Sequence, residues 1–317
     1  MKAVLDQLGA LGGKPLDKLT AQQARKQPTP ADAVKALLKK EGKSTDPEPV
    51  GNVRNTTVPG PAGAIPVRIY TPQGDGPFPV IFYIHGGGWV IATMDTYDSS
   101  PRAMVNLTNA VVVSVEYRKA PEHKFPAAHE DCYAALQYVM KNAAKMKGDP
   151  GRVAVMGESA GGNMATAICM MARDRKGMMP LYEVLIYPVA NNNFNTPSYL
   201  KNAKAKPLNK PMMQWFFRNT VNSPSDANNP YLSVLKGNVK RLPPATVITD
   251  AIDPLMSEGK AYADKLRKAG IAVRYRNYEG VTHEFFGMGA VVDKAKDAEG
   301  FAADGLKSAF EQKPVQK

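Results

Sequence analysis

Cysteine is scarce in this sequence: Cys132 and Cys169 are the only two in 317 residues. Each falls in a stretch with the spacing of an amphipathic helix, where a lone thiol behaves as a small buried apolar side chain, so no disulfide is expected. Long apolar runs are missing as well. Val80 to Ile84 and Ala110 to Val113 are far shorter than the roughly 20 residues that cross a bilayer, which excludes a transmembrane helix and an integral membrane protein. Met1 to Leu16 carry Asp6, Gln7 and Lys14 and so lack the continuous apolar core of a signal peptide. A cytoplasmic location is the expectation, with export after removal of a signal left open. Acidic residues are outnumbered, 29 against 41 basic ones, for a formal charge of +12. The basic residues are spread along the chain, with one denser stretch from Lys201 to Lys210, which fits a solvated surface rather than a nucleic-acid site.

What is present is an alternation. From about residue 78, short β-rich runs alternate with stretches of helical length, the pattern of a mostly parallel sheet covered by helices. Val80 to Ile84, Ala110 to Tyr117, Val153 to Met156, Val184 to Tyr187 and Ala245 to Thr249 read as buried strands. A helix is expected over about Ala127 to Met146, with Cys132, Leu136, Val139, Met140 and Ala143 on one face. Val53 to Val58 and Ile65 to Tyr70 flank a Pro- and Gly-rich turn and read as an antiparallel hairpin at the sheet edge. Before it, Thr20 with Gln23 forms a capping-box pattern, and Thr29-Pro30 opens a second helix that stops near Gly42. Ala190 to Leu242 interrupts the alternation, yet holds a helix over Pro211 to Thr220 rich in Met and aromatic residues.

Gly157-Glu158-Ser159-Ala160-Gly161 fits the G-x-S-x-G elbow, in which small neighbours let a strand turn sharply into a helix and hold a serine hydroxyl outward. A surface turn could carry the same letters, but a strand from Arg152 to Met156 precedes this one and a helix from Asn163 to Arg173 follows it. The helix N-terminus offers free amides to an oxyanion, with Ala160 the first donor. A second run of glycines, His85-Gly86-Gly87-Gly88-Trp89, ends the strand Phe78 to Ile84. Without Cβ atoms its amides can approach a ligand closely, so Gly87 and Gly88 are the expected partners of Ala160, and His85 an anchor of the loop.

A serine hydroxyl near its free pKa needs an imidazole to take its proton and a carboxylate to fix that imidazole's tautomer. The chain has four histidines, and His283 alone lies beyond Ser159, the order this arrangement requires. Between the two, Asp174, Asp226, Asp250, Asp253, Asp264, Glu183, Glu258 and Glu279 compete for the acid. Catalytic groups in open α/β sheets come from the carboxyl ends of strands, and Ala245 to Thr249 delivers Asp250 and Asp253 there. Asp253 is preferred. Followed by Pro254, it also suits the N-cap of a helix ending near Gly270. A return strand, Ile271 to Tyr278, then leads to a loop, Glu279 to His283.

These residues resemble the hormone-sensitive-lipase family of α/β-hydrolases, most closely its bacterial esterase branch. His85 to Trp89 looks like the family's HGGG loop, Tyr117 to Glu122 its YRxAPE segment, Gly157 to Gly162 its elbow, and Asp253-Pro254-Leu255 its acid loop. The resemblance implies an α/β-hydrolase fold with a mostly parallel sheet, an antiparallel edge hairpin, helices on both faces and a helical cap. It implies a serine carboxylesterase acting on short-acyl esters through Ser159, Asp253 and His283, with Gly87, Gly88 and Ala160 as oxyanion donors and neither cofactor nor metal. A cap would come from residues 1–50 and 190–235, over a core of 51–189 and 236–317. Trp89, Trp215 and Phe216 would then line the substrate pocket. Two positions depart from the family: Glu158 stands where Asp is common, and Glu284 follows the histidine where Gly is usual. The partner implied is a small-molecule ester, with a homodimer left open. The rival readings are a ligand receptor on the same fold, which would have lost the base, and a peptidase or amidase using the same three groups.

Overall fold

The apolar runs assemble into one eight-stranded sheet in a computed structural model of the chain, which describes residues 1–311. The expected second core segment, 236–317, thus ends in residues 312–317 that lie outside the described ones. Three helices come first: α1 (Lys2–Ala10), α2 (Ala21–Ala24) and α3 (Pro30–Lys40). Both anticipated caps form, since Thr20 Oγ1 accepts from the Gln23 amide and Thr29 Oγ1 from the Asp32 amide. Then follow β1 (Asn52–Gly60), β2 (Gly63–Thr71), β3 (Phe78–Ile84), α4 (Ser99–Thr108), β4 (Val111–Val115), α5 (Ala127–Asn142), β5 (Gly148–Glu158), α6 (Ala160–Asp174) and β6 (Glu183–Ile186). The chain continues through α7 (Pro197–Lys201), α8 (Lys210–Thr220), β7 (Ala245–Ile252), α9 (Met256–Lys268), β8 (Val273–Thr282) and α10 (Asp293–Glu311).

The strand order is β1-β2-β4-β3-β5-β6-β7-β8. The hairpin β1–β2 and the pair β2–β4 are antiparallel, and every other neighbour is parallel. Burial on both faces explains the unbroken apolar strands. Val80, Phe82 and Ile84 of β3 join the core beneath α5, α6 and α9, while Ile81 and Tyr83 point into the one beneath α4 and α10. Residues 1–50 and 190–235 supply α1, α2, α3, α7 and α8, outside the sheet. Among the described residues, no helix is long and apolar enough to cross a membrane, and both cysteines are free and buried.

Several boundaries differ from expectation. The helix behind the elbow begins at Ala160 rather than Asn163, so Ser159 abuts its first turn. β8 runs on to Thr282, so His283 leaves the strand end directly instead of riding on a five-residue loop. Asp253 is not an N-cap: α9 starts at Met256, and Asp253 Oδ1 accepts from the Leu255 amide at 2.8 Å instead.

Arg25, just after α2, fastens the N-terminal segment to the core. Its guanidinium donates to the carbonyls of Val90 and Ala120, each at 2.8 Å, and forks onto Glu122 at 2.9 and 2.7 Å. Half of that fork faces water, so Arg25→Ala is expected to cost about 1–2 kcal/mol, chiefly from the two carbonyls left without a partner. Urea unfolding checks it, and an unchanged midpoint would show that the apolar contacts of α2 suffice.

Candidate active site

Ser159 is placed by a sharp corner between β5 and α6. Its backbone has φ +57° and ψ −117°, a conformation L-residues seldom adopt. The corner closes because its neighbours lack side chains: a Cβ on Gly157 would lie 2.2 Å from the Gly161 carbonyl oxygen, and one on Gly161 2.0 Å from that of Ile84. Main-chain bonds hold it, with the Ser159 amide donating to the Ile186 carbonyl at 2.9 Å and the Asn163 amide to that of Ser159 at 3.0 Å.

β7 and β8 carry the other two groups to the same place. His283 Nε2 lies 2.9 Å from Ser159 Oγ, and His283 Nδ1 lies 2.6 Å from Asp253 Oδ2. All three side chains are almost fully buried. Asp250, the competing acid, is also buried and has no hydrogen-bond partner among the described residues. Asp250, Asp253 and His283 could in principle gather around a cation, since one ligand atom from each lies within 4.8 Å of the others. Both imidazole nitrogens, however, are already engaged by Asp253 and Ser159.

The glycine loop meets the serine from the end of β3. Gly87 and Gly88 have positive φ, and the Gly87 carbonyl accepts from the amides of Val90 and Ile91, folding the loop into a tight turn. The Gly87 and Gly88 amides donate to no protein acceptor among the described residues, and the Ala160 amide is in the first turn of α6, where helical partners are lacking. His85 anchors the loop: it stacks on Tyr117 at 4.4 Å, and the Tyr117 hydroxyl donates to the Gly86 carbonyl at 2.8 Å.

Above these groups opens a cavity of about 870 Å³. Ser159, His283, Gly87, Gly88 and Glu284 line its floor, and Leu8, Ile91, Leu208, Met212, Met213 and Phe216 supply apolar wall. Of the three aromatic residues expected at the pocket, Phe216 is there. Trp89 and Trp215 are not on the wall: Trp89 is buried edge-on to Phe217, and Trp215 packs inward while donating from Nε1 to the Leu19 carbonyl at 3.1 Å. Leu5 and Leu8 of α1 and Tyr97 also reach the cavity. Nothing in their sequence surroundings marks them. Glu284 did carry a signal, a charged residue where the family has Gly.

The electrostatics are crowded with carboxyl groups. Burial pulls the His283 imidazolium down, but Asp253, with Glu284 and Glu158 farther off, outweighs it and holds the ring above its ordinary 6.5. Burial and the neighbouring Asp253 push Asp250 well up. Glu158 accepts from the hydroxyls of Tyr83 and Tyr187, yet burial still pushes it up to about 7.

The chain belongs to the α/β-hydrolase family, in its hormone-sensitive-lipase-like group, with residues 81–287 matching the description of the alpha/beta hydrolase fold. It is 38% identical over 252 residues to a carboxylesterase of Mycobacterium tuberculosis, NlhH, covering 78% of this chain and 79% of that one. It is 32% identical over 300 residues to an ethyl acetate hydrolase of Pseudomonas putida, covering 92% of each. A solved structure of a hyperthermophilic esterase from the archaeon Pyrobaculum calidifontis superposes with a TM-score of 0.85 at 38% identity, over 92% of this chain and 95% of that one. The particular member found here is an enzyme of the carboxylic ester hydrolase class.

An acid whose folded pKa exceeds its unfolded one keeps a proton in the fold that the unfolded chain has shed. Glu158 therefore lowers stability as pH rises from its ordinary 4.5 to about 7, and by a constant amount above that. Glu158→Gln removes this titration, so between pH 5 and pH 8 the variant is expected to lose about 2–3 kcal/mol less stability than the parent. Urea unfolding at both pH values reads this, and an identical pH dependence would show that Glu158 ionises normally.

Proposed function

We propose that this esterase works through a covalent acyl-enzyme on Ser159, with His283 as general base and acid, Asp253 orienting it, and the amides of Gly87, Gly88 and Ala160 as the oxyanion hole. The observation that carries the reading is the unbroken contact from Asp253 Oδ2 through both ring nitrogens of His283 to Ser159 Oγ. Asp253 accepts a hydrogen bond from a protonated Nδ1, which leaves a lone pair on Nε2 facing the hydroxyl. Ser159 Oγ attacks the ester carbonyl while Nε2 takes its proton, and the carbonyl oxygen becomes an anion facing the glycine-loop amides. Nε2 then gives that proton to the ester oxygen as the carbon–oxygen bond breaks and the alcohol departs. A water molecule repeats the sequence on the acyl group, returning the carboxylic acid and free Ser159. Residues 1–50 and 190–235 act as a cap over the core of 51–189 and 236–317.

Short-acyl esters are the substrates we favour, in keeping with the relative named an ethyl acetate hydrolase, and Phe216 with its apolar neighbours would hold the acyl or alcohol group. Retention of the histidine in contact with the serine favours turnover over a receptor role.

Ser159→Ala is expected to lower kcat for p-nitrophenyl butyrate by about four to six orders of magnitude with the fold unchanged by circular dichroism. Substantial surviving turnover would refute the acyl-enzyme. His283 must also be neutral to accept the serine proton, so kcat/KM should fall on acidification with a midpoint above 6.5, the ordinary value that its carboxylate neighbours raise. A rate indifferent to pH between 5 and 8 would count against His283 as the base.

A further inference from the structure

Glu284 occupies a backbone conformation that suits glycine, with φ +71°. A residue with a side chain persists in that conformation only where its surroundings hold it. The carboxylate turns into the cavity beside the reacting groups. Its Oε1 accepts from the Tyr97 hydroxyl at 2.6 Å and lies 3.8 Å from His283 Nε2. Its Oε2 has no protein hydrogen bond among the described residues. Tyr97 is wedged in turn against the glycine loop, where a Cβ on Gly86 would meet the Tyr97 hydroxyl oxygen at 2.3 Å. The imidazole is thus flanked by carboxylates at both nitrogens, and the second one has an acceptor to spare.

Resting on the acyl-enzyme reading above, we propose that Glu284 is a specificity-determining residue that favours esters whose leaving alcohol carries a second hydrogen-bond donor close to the ester oxygen, and disfavours those carrying a carboxylate there. The ester oxygen must come within about 3 Å of Nε2 to receive its proton. A hydroxyl or ammonium two carbons farther along the alcohol then falls within reach of the unpartnered Oε2. A plain alkyl alcohol leaves that acceptor partly desolvated and unpaired, which is how polar sites reject apolar analogues. The proton still passes from Ser159 Oγ to Nε2 and on to the departing alcohol, and Glu284 ends each cycle as it began.

The test compares kcat/KM at pH 8 for 2-hydroxyethyl butyrate, its near-isostere propyl butyrate, and butyryl glycolate. The proteins are the parent, Glu284→Gln, which keeps the shape, and Glu284→Gly, whose backbone fits the left-handed position without strain. The parent should prefer hydroxyethyl over propyl by about tenfold or more, both variants should lose most of that preference, and the penalty on glycolate should relax. Equal preference ratios in all three proteins would overturn the proposal.

A pH profile supplies a readout that a merely structural role would not move. The groups facing His283 are Asp253 at Nδ1, Asp250 behind it, Glu284 near Nε2, and Glu158 bonded to Tyr83 and to Tyr187, whose ring is 4.5 Å from the imidazole. His85 faces Glu284 from the glycine loop. Removing the Glu284 charge should lower the acid-limb midpoint of kcat/KM for p-nitrophenyl butyrate, and an unmoved midpoint in Glu284→Gln would also count against the proposal. Hydrolysis by the parent but not by Ser159→Ala keeps the esterase reading standing whatever Glu284 does. A parent inert toward all of these esters would sink both.

Discussion

The bond between Asp253 and His283, at 2.6 Å and wholly buried, is the interaction on which the site depends. On the acyl-enzyme reading proposed here, it decides which ring nitrogen carries the proton, and therefore whether Nε2 can accept one from Ser159. Neither partner would be stable there alone: an unpaired buried carboxylate is costly, and a buried imidazolium is driven neutral. The pair is affordable because Asp253 spends its second oxygen on the Leu255 amide. That amide belongs to the turn that starts α9, so the geometry of the acid is set by the chain that leaves β7. The sheet does the rest, since β5, β6, β7 and β8 are consecutive parallel neighbours whose carboxyl ends open on one edge.

The corner at Ser159 imposes a complementary demand. Its positive φ is a local strain, and the close approach of the Gly161 Cα to the Ile84 and His85 carbonyls leaves no room for a methyl group. The same tight packing draws the start of α6 against the end of β3. It therefore brings the first turn of α6, with the Ala160 amide, to the strand end from which the glycine loop leaves. One steric requirement, small residues at the elbow, thus holds both Ser159 and the first amides of α6.

Much of this was legible in the sequence, and the reasons differ by element. The central strands could be read because both faces of β3, of β4 and of β5 from Val153 onward are buried, which writes them as short, nearly unbroken apolar runs. His283 could be read because only four histidines exist and one follows the serine. α10 could not, since its buried face is mainly alanine, at Ala295, Ala298, Ala302 and Ala309, and so gives little hydrophobic contrast. α1 has a single buried residue, Val4, and leaves no clear stripe at all. The tryptophans misled for a related reason. A large aromatic residue suits either a pocket or a core, and Trp215 is committed to the core by the bond from its N–H to Leu19, a partner far away in sequence.

The pattern in those failures separates chemistry from selectivity. The groups proposed to react lie at strand ends and tight turns, where geometry restricts the residue types and leaves recognisable motifs. The cavity wall is assembled from α1 and from the stretch after α7 that runs into α8, two parts of the chain that meet only through tertiary contact. Glu284 belongs to both worlds. It adjoins the histidine in sequence, but its orientation depends on Tyr97, 187 positions away. The sequence could show only that a charge stood where glycine is usual. What that charge faces follows from the fold, which sets Glu284 Oε1 3.8 Å from His283 Nε2, the nitrogen proposed to protonate the departing alcohol.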